Sequence, residues 1–153
     1  MLSLNRTPLL LLLLASLNIG AAESDKAIDI TVYRSESCSC CRKWQDHLQQ
    51  NNFNIKSLVS DDLQAVKDKY GIPDKLASCH TALVNGYIVE GHVPAQDIRK
   101  LLQTKPNIVG IAAPGMPMGS PGMEMGDTQA SFQVISVDKS GHFEVFSNHN
   151  GNQ

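Results

Sequence analysis

The central part of the chain alternates strand-like runs with helix-like runs, and this alternation limits it to a small set of α/β arrangements. In the first run, Ile28, Ile30 and Val32 recur at every second position, as residues do on one face of a β-strand. A helix-like run follows, in which Trp44 and Leu48 are four residues apart and therefore share a face. The same two kinds of pattern along the rest of this part predict the order β-α-β-α-β-β-α.

Turn and cap residues support this order. Asn85-Gly86 stands between two strand-like runs and is the strongest short signal for a β-hairpin. Gly71 suits the C-terminal cap of the second helix, while Pro94 suits the first turn of the third and Pro106 lies beyond its end. The first β-α-β unit predicts a parallel strand pair, to which the hairpin adds antiparallel strands. The predicted class is α/β, with a thioredoxin-like fold, because that fold has this order of elements.

The chain changes character after Lys105. Residues 110–126 combine proline, glycine and methionine with little periodicity, which predicts an ordered or metal-ordered loop. A second hairpin pattern follows, with its turn near Ser140-Gly141, and the last six residues predict a frayed tail. The predicted division is a signal peptide (1–22), a thioredoxin-like core (23–105), a Met-rich loop (106–128), and a C-terminal hairpin and tail (129–153).

The first 22 residues have the layout of a secretory signal peptide. Arg6 precedes an apolar run from Leu9 to Leu14, and small residues lead to Ala22. The run is short for a membrane span, so we predict export and cleavage near Ala22, with an uncleaved membrane anchor as the alternative. Loss of Arg6 reduces 13 basic residues to 12, against 15 acidic ones. Because no basic block occurs, we expect neither nucleic acid nor, after cleavage, a membrane as a partner.

Three of the four cysteines fall within four positions: Cys38, Cys40 and Cys41, at the predicted N-terminus of the first helix. A helix N-terminus favours thiolate, which is both the redox nucleophile and the metal ligand. Cys38 and Cys41 have the spacing of a dithiol pair, whereas Cys40 and Cys41 are too close for an ordinary disulfide. Cys79 precedes the hairpin, in a loop that the thioredoxin-like order places beside this helix. Metal binding, dithiol redox chemistry and structural disulfides are the three interpretations, and four converging sulfurs favour metal binding.

The choice of metal depends on the methionines. Three thiolates and a histidine would satisfy zinc, which is the alternative metal. Soft thiolate and thioether ligands together select Cu(I), however, and two M-x-M pairs stand in the proline- and glycine-rich segment. The predicted thioether ligands are Met116, Met118, Met123 and Met125. The alternative is that these methionines only pack against the core.

The histidines differ in what they offer. His80 adjoins a cysteine but would point to the opposite face of a regular strand, so it can share a metal only if the chain is irregular or several ions bind. His92 either faces the same end of the sheet or caps the third helix in solvent. His47 lies about 10 Å along the first helix from the cysteines and is predicted to be a surface or packing residue. His142 and His149 are predicted to be exposed.

Three stretches together resemble one family. They are "VYRSESCSCCRKWQDHL", "YGIPDKLASCHTALVNGYIVEGHVPAQDIRKLL" and "GIAAPGMPMGSPGMEMG". In motif and order they are similar to the exported copper-resistance proteins called CopG, a thioredoxin-fold metal-binding family distinct from the DNA-binding repressor of that name. The resemblance runs from about residue 28 to residue 126.

The resemblance implies a periplasmic copper protein that holds Cu(I) as a small thiolate-bridged cluster. Cys38, Cys40, Cys41 and Cys79 would be core ligands, with His80 beside them and His92 and the methionines as additional ligands. Its expected partners are copper ions and other periplasmic copper-transport proteins. Two functions remain open: a binder that sequesters or transfers Cu(I), and an oxidoreductase acting on the redox state of copper or on protein disulfides.

Overall fold

The computed structural model describes residues 26–152, which form one mixed sheet with three α-helices and a short 3₁₀ turn at Asp74–Leu76. The predicted signal peptide lies outside these residues. The helices are α1 (Ser39–Gln50), α2 (Leu63–Lys69) and α3 (Ala95–Thr104). The strands are β1 (Ile28–Arg34), β2 (Phe53–Val59), β3 (His80–Val84), β4 (Tyr87–Gly91), β5 (Gly110–Ala113), β6 (Phe132–Val137) and β7 (Phe143–His149).

The seven strands are arranged in the order β2-β1-β3-β4-β5-β6-β7. Strands β1 and β2 are parallel, as the first β-α-β unit predicts, and β3 runs antiparallel to β1. The β3–β4 hairpin turns at Asn85 and Gly86, which both have positive φ, as a type I′ turn requires. This pairing brings the start of β3 next to the end of β1, which leads directly into α1.

The core explains why α1 is held firmly against the sheet. Trp44 and Leu48 are fully buried, in one apolar cluster with Val32 of β1 and Ile98 of α3. Burial of side chains of this size stabilises the fold by roughly 1.5–3 kcal/mol each. The indole Nε1 of Trp44 also donates a hydrogen bond to the carbonyl of Val93, at 2.8 Å. These core contacts therefore hold the N-terminal end of α1, where the cysteines lie, in a fixed position.

Three predictions about the C-terminal third are wrong, and the last of them is the predicted exposure of His149. Part of the predicted loop 110–126 is strand β5, which lies between β4 and β6 and is entirely buried. The predicted frayed tail begins inside β7, which extends to His149. His149 is mostly buried because its Nε2 lies 2.7 Å from the Asp97 carboxylate and its ring stacks on Phe132.

No helix in residues 26–152 is both long enough and apolar enough to cross a membrane.

Candidate metal centre

The N-terminus of α1 presents three sulfur atoms. The helix begins at Ser39, so Cys40 and Cys41 lie in its first turn. Cys38 is the N-cap, and its Sγ accepts a hydrogen bond from the backbone N–H of Cys41, at 3.3 Å. A sulfur at this position lies near the positive end of the helix dipole, which stabilises the thiolate form.

Cys38 and Cys41 form a disulfide, with Cα atoms 5.3 Å apart. Cys41 is buried and Cys38 is half-buried, so Cys38 is the more accessible sulfur of the pair. The free thiols are Cys40 and Cys79. The CxxC pairing that the sequence allows is therefore present, and Cys40 stands apart from it.

The fourth sulfur comes from the turn before β3. The Sγ of Cys79 lies 3.4 Å from that of Cys41 and 3.8 Å from that of Cys40. The Sγ atoms of Cys38 and Cys40 are 3.5 Å apart. All four sulfurs lie within 4.8 Å of one another, so the structure brings Cys79 to the helix tip as the sequence predicts.

Two imidazoles extend the sulfur group on the Cys79 side. The Cys79 Sγ lies 3.3 Å from Nδ1 of His80 and 3.1 Å from Nε2 of His92. Both histidines are fully buried, and their rings are 4.9 Å apart in an edge-to-face arrangement. Cys79 and His80 share one site although they are neighbours in sequence, because Cys79 lies in the bend before β3 and not in the regular strand.

The tautomer of His92 follows from its other nitrogen. Nδ1 lies 2.8 Å from the carbonyl oxygen of Pro121, which only accepts, so Nδ1 carries the proton. The Nε2 lone pair then faces Cys79. A metal-binding histidine usually donates its second ring N–H in this way to a carboxylate or a carbonyl.

The Cys79 thiol and the two imidazoles beside it are neutral without a metal. Burial, with a smaller contribution from the nearby Cys40 sulfur, raises the pKa of the Cys79 thiol to about 12. Burial also lowers the pKa of His92, and it lowers that of His80 well below its usual value, with His92 and Lys67 adding to the effect. A neutral imidazole is the form that binds a metal, whereas a metal must displace the thiol proton.

The segment after β5 covers the site with backbone atoms. We call residues 114–126, the part of the predicted Met-rich loop (106–128) that directly follows β5, the Met loop. The Pro121 carbonyl accepts the hydrogen bond from His92 described above. The backbone N–H of Gly115 donates a second hydrogen bond, to the carbonyl of Ala77, at 3.1 Å. Gly122 packs so closely on α1 that a Cβ there would lie 2.7 Å from the carbonyl oxygen of Cys40. The loop is therefore attached to both segments that supply sulfurs.

The methionine side chains are mostly directed to solvent. Met116, Met118 and Met125 are exposed, with relative exposures of 55, 45 and 66%, and Met123 is half-buried. This exposure does not fit the alternative in which all four pack against the core. We call these four residues the loop methionines.

The remaining histidines lie elsewhere. His47 is half-buried, and its Nε2 accepts a hydrogen bond from the backbone N–H of Ala95, at 3.2 Å. It is thus a packing residue, as the sequence predicts. The His142 side chain is 66% exposed, also as predicted, whereas His149 is the exception described above.

Sequence reasoning missed a buried ion pair behind the site, formed by Lys67 and Glu90. The available signal was Glu90 itself, an acidic residue in a strand that otherwise reads as apolar, "YIVEG". Lys67 gave no signal, since it stands in a helix rich in charged residues.

The fold and the site define an α/β protein with a candidate metal centre of four sulfurs and two imidazoles. A family model described as "Protein of unknown function, DUF411" matches residues 76–123, which include Cys79, both site histidines and three of the loop methionines. A comparison with curated proteins gives no match.

Two solved structures are similar over nearly their whole length. "Copper resistance protein copG- Form 2" is 44% identical, with a TM-score of 0.78, and the match covers 81% of this chain and 99% of that one. For "Copper resistance protein copG- Form 1" the identity is 45% and the TM-score 0.78, with 82% and 100% covered. The chain belongs to the CopG family of copper-resistance proteins, which confirms the resemblance drawn from its motifs.

Proposed function

We propose that this protein binds copper for resistance or homeostasis, by sequestering Cu(I) or passing it on. The observation that carries the proposal is the convergence of four cysteine sulfurs within 4.8 Å at the tip of α1. The solved relatives are named as copper resistance proteins, which supports copper as the metal.

The donor set favours Cu(I). Cysteine thiolates are soft ligands that prefer Cu(I), and each thiolate can bridge two ions. Four sulfurs this close together exceed what one ion needs beside two imidazoles, so we propose a thiolate-bridged cluster of several Cu(I) ions. Zinc, which four thiolates and histidines also suit, is the alternative metal.

The disulfide must open before the full cluster forms. Reduction of Cys38–Cys41 by a thiol reductant consumes two electrons and two protons, releases two protein thiols and leaves the reductant as a disulfide. Each thiol then loses its proton when it binds copper. In this proposal His80 and His92 bind on the Cys79 side, and the loop methionines supply thioethers at the exposed edge.

The proposal also includes the location and the fold class. Residues 1–22 would direct export to the periplasm and be removed near Ala22, leaving the core, the Met-rich loop and the C-terminal hairpin. The order β2-β1-β3-β4 and the cysteines at the N-terminus of α1 support a thioredoxin-like core. Other periplasmic copper-transport proteins would be the partners in delivery.

A second function is favoured by the disulfide. A half-buried Cys38 joined to a buried Cys41 at a helix N-terminus is an arrangement suited to thiol–disulfide exchange. A substrate thiolate would attack the Cys38 sulfur and form a mixed disulfide, with Cys41 leaving as thiolate. A second substrate thiolate would then attack the substrate sulfur of the mixed disulfide, which forms the substrate disulfide and releases Cys38 as thiolate. An insulin-reduction assay of the metal-free, reduced protein tests exchange in the opposite direction. Spectroscopy of Cu(I) and Cu(II) during turnover with an oxidant tests copper oxidation.

The copper proposal is tested with Cys38→Ser and Cys79→Ser. Each variant and the wild type are reduced, loaded anaerobically with Cu(I), desalted and analysed for copper. We expect both variants to hold fewer copper ions per chain than the wild type. Ser39→Ala is the control, since Ser39 is exposed in the same turn and its stoichiometry should not change. Unchanged stoichiometry in both cysteine variants would remove these sulfurs from the site.

A further inference from the structure

A buried ion pair lies directly behind the Cys79-His80 segment. Lys67 of α2 is 6% exposed and Glu90 of β4 is 1% exposed, and the Lys67 Nζ is hydrogen-bonded to Oε1 of Glu90. Removing two charges from water costs several kcal/mol for each ion, and apolar residues of similar size often stabilise a core at least as well. Stability alone therefore does not account for this pair, and its other contacts indicate what else it does.

Those contacts are hydrogen bonds to the residues on both sides of the Cys79-His80 segment. The backbone N–H of Ser78, immediately before Cys79, donates to Oε1 of Glu90 at 2.7 Å. The Thr81 hydroxyl, immediately after His80, donates to Oε2 of Glu90 at 2.7 Å and accepts from the Lys67 Nζ at 3.1 Å. One carboxylate thus bonds to the residues that flank the two candidate ligands.

The chemistry of these bonds requires a carboxylate. All the groups facing Glu90 donate hydrogen bonds: a backbone N–H, a hydroxyl and an ammonium. A carboxylate accepts from all of them, whereas an amide would turn its NH₂ toward one of the donors and leave that donor unpaired.

The backbone of β4 adds a second restraint at the same place. Gly91 has a φ of +74°, and a Cβ there would lie 2.5 Å from the Ser78 side chain and 2.7 Å from the Ala113 carbonyl oxygen. The turn before β3 is therefore packed against β4 as well as hydrogen-bonded to it. The Glu90 carboxylate bonds to the neighbours of Cys79 and His80 and not to these two residues themselves.

We propose that Glu90 and Lys67 are positioning residues for the metal centre. They hold Ser78 and Thr81 so that the Cys79 sulfur and the His80 ring face the tip of α1 before any metal arrives. The inference rests on the proposed copper-binding function. Partners in the outer shell of a metal site typically change metal affinity by 10- to 100-fold when they are replaced.

The test is the Cu(I) affinity of Glu90→Gln, measured anaerobically on reduced protein by competition with bicinchoninate. We expect affinity to fall by about 10- to 100-fold. X-ray absorption at the copper edge should show a changed ratio of sulfur to nitrogen ligands, which loss of fold stability alone would not produce. Thr81→Val removes one flanking contact with little change in shape, and it should lower the affinity in the same direction. It also tests the proposal if Glu90→Gln does not fold.

Asp97→Asn is the matched control. Asp97 is likewise a buried carboxylate, 4% exposed, but its ion pair is with His149 and not with the segment around Cys79. This variant should lose stability while its Cu(I) affinity and absorption spectrum stay those of the wild type. An equal loss of affinity in Asp97→Asn would overturn the positioning role, since any buried carboxylate would then have the same effect.

The wild type in the same titration separates the two proposals. If it takes up no Cu(I), the proposed function fails and this inference fails with it. If the wild type binds Cu(I) and both Glu90→Gln and Thr81→Val match its affinity and spectrum, only the positioning role is overturned.

Discussion

Replacement of Gly122 by alanine tests whether the Met loop is seated on the metal centre. Gly122 has a φ of +86°, and a Cβ there would lie 2.7 Å from the Cys40 carbonyl oxygen and 2.8 Å from the Trp44 backbone nitrogen. Both atoms belong to the first turns of α1, which the buried Trp44 side chain holds in place. The methyl group therefore cannot be accommodated unless the loop moves away from the helix.

The magnitude follows from two separate costs. Positive φ costs an alanine about 1–2 kcal/mol. Overpacking against fixed atoms adds about 1–3 kcal/mol. Gly126→Ala is the matched control, because Gly126 has a φ of +64° with nothing within 4 Å of the added Cβ. It should lose only the first amount.

The assay is thermal unfolding followed by circular dichroism, on both variants with the disulfide intact. For a domain of this size 1 kcal/mol corresponds to about 4 °C in Tm, so Gly122→Ala should melt about 4–12 °C below Gly126→Ala. It should also bind Cu(I) more weakly, since moving the loop withdraws the Pro121 carbonyl from His92. Equal Tm values and equal copper affinities for the two variants would refute the contact between loop and helix.

Two further predictions concern the Cys79 thiol and the loop methionines. At pH 8 the Cys79 thiol, with a pKa of about 12, is ionised in about one molecule in ten thousand. A more basic thiolate is also more nucleophilic, which offsets part of this difference. Iodoacetamide should therefore modify Cys79 roughly 100-fold more slowly than it modifies glutathione. Mass spectrometry of the metal-free, disulfide-intact protein measures this, and a rate equal to that of glutathione would contradict the buried, protonated thiol. Replacement of all four loop methionines with leucine should weaken Cu(I) affinity and leave Tm nearly unchanged, because three of the side chains are exposed. Unaltered affinity in a bicinchoninate competition would show that these side chains are not ligands.

The sequence predicted the centre of the fold because strong local signals mark it. Alternating apolar residues in β1, the Trp44 and Leu48 stripe in α1 and the Asn85-Gly86 turn each fix one element, and short connections leave few ways to combine them. That order of elements places the start of β3 beside the end of β1. The approach of Cys79 to the α1 cysteines was predictable for this reason.

The errors arose where local patterns are ambiguous. Strand β5 has four residues, "GIAA", and runs directly into a segment rich in proline and glycine, so its short apolar run has no period to measure. Its strand conformation comes from pairing with β4 and β6. His149 was misjudged because its partner, Asp97, lies 52 residues earlier and no local pattern connects them.

The ion pair of Lys67 and Glu90 shows the same limit inside the site. Lys67 looks ordinary in its own segment, and Glu90 stands out only as an acidic residue in an apolar strand. Their association depends on how α2 packs against β3 and β4. Cysteines, histidines and methionines announce metal chemistry by their type alone. The groups that hold such ligands in place carry no comparable signature, and only tertiary structure brings them together.

The most direct test of the whole account is anaerobic titration of the reduced wild-type protein with Cu(I), combined with metal analysis and X-ray absorption. We expect more than one copper ion per chain, coordination dominated by sulfur with a smaller nitrogen contribution, and short copper–copper distances from bridging thiolates. Failure to bind Cu(I), or a single ion without sulfur bridging, would contradict the proposed cluster.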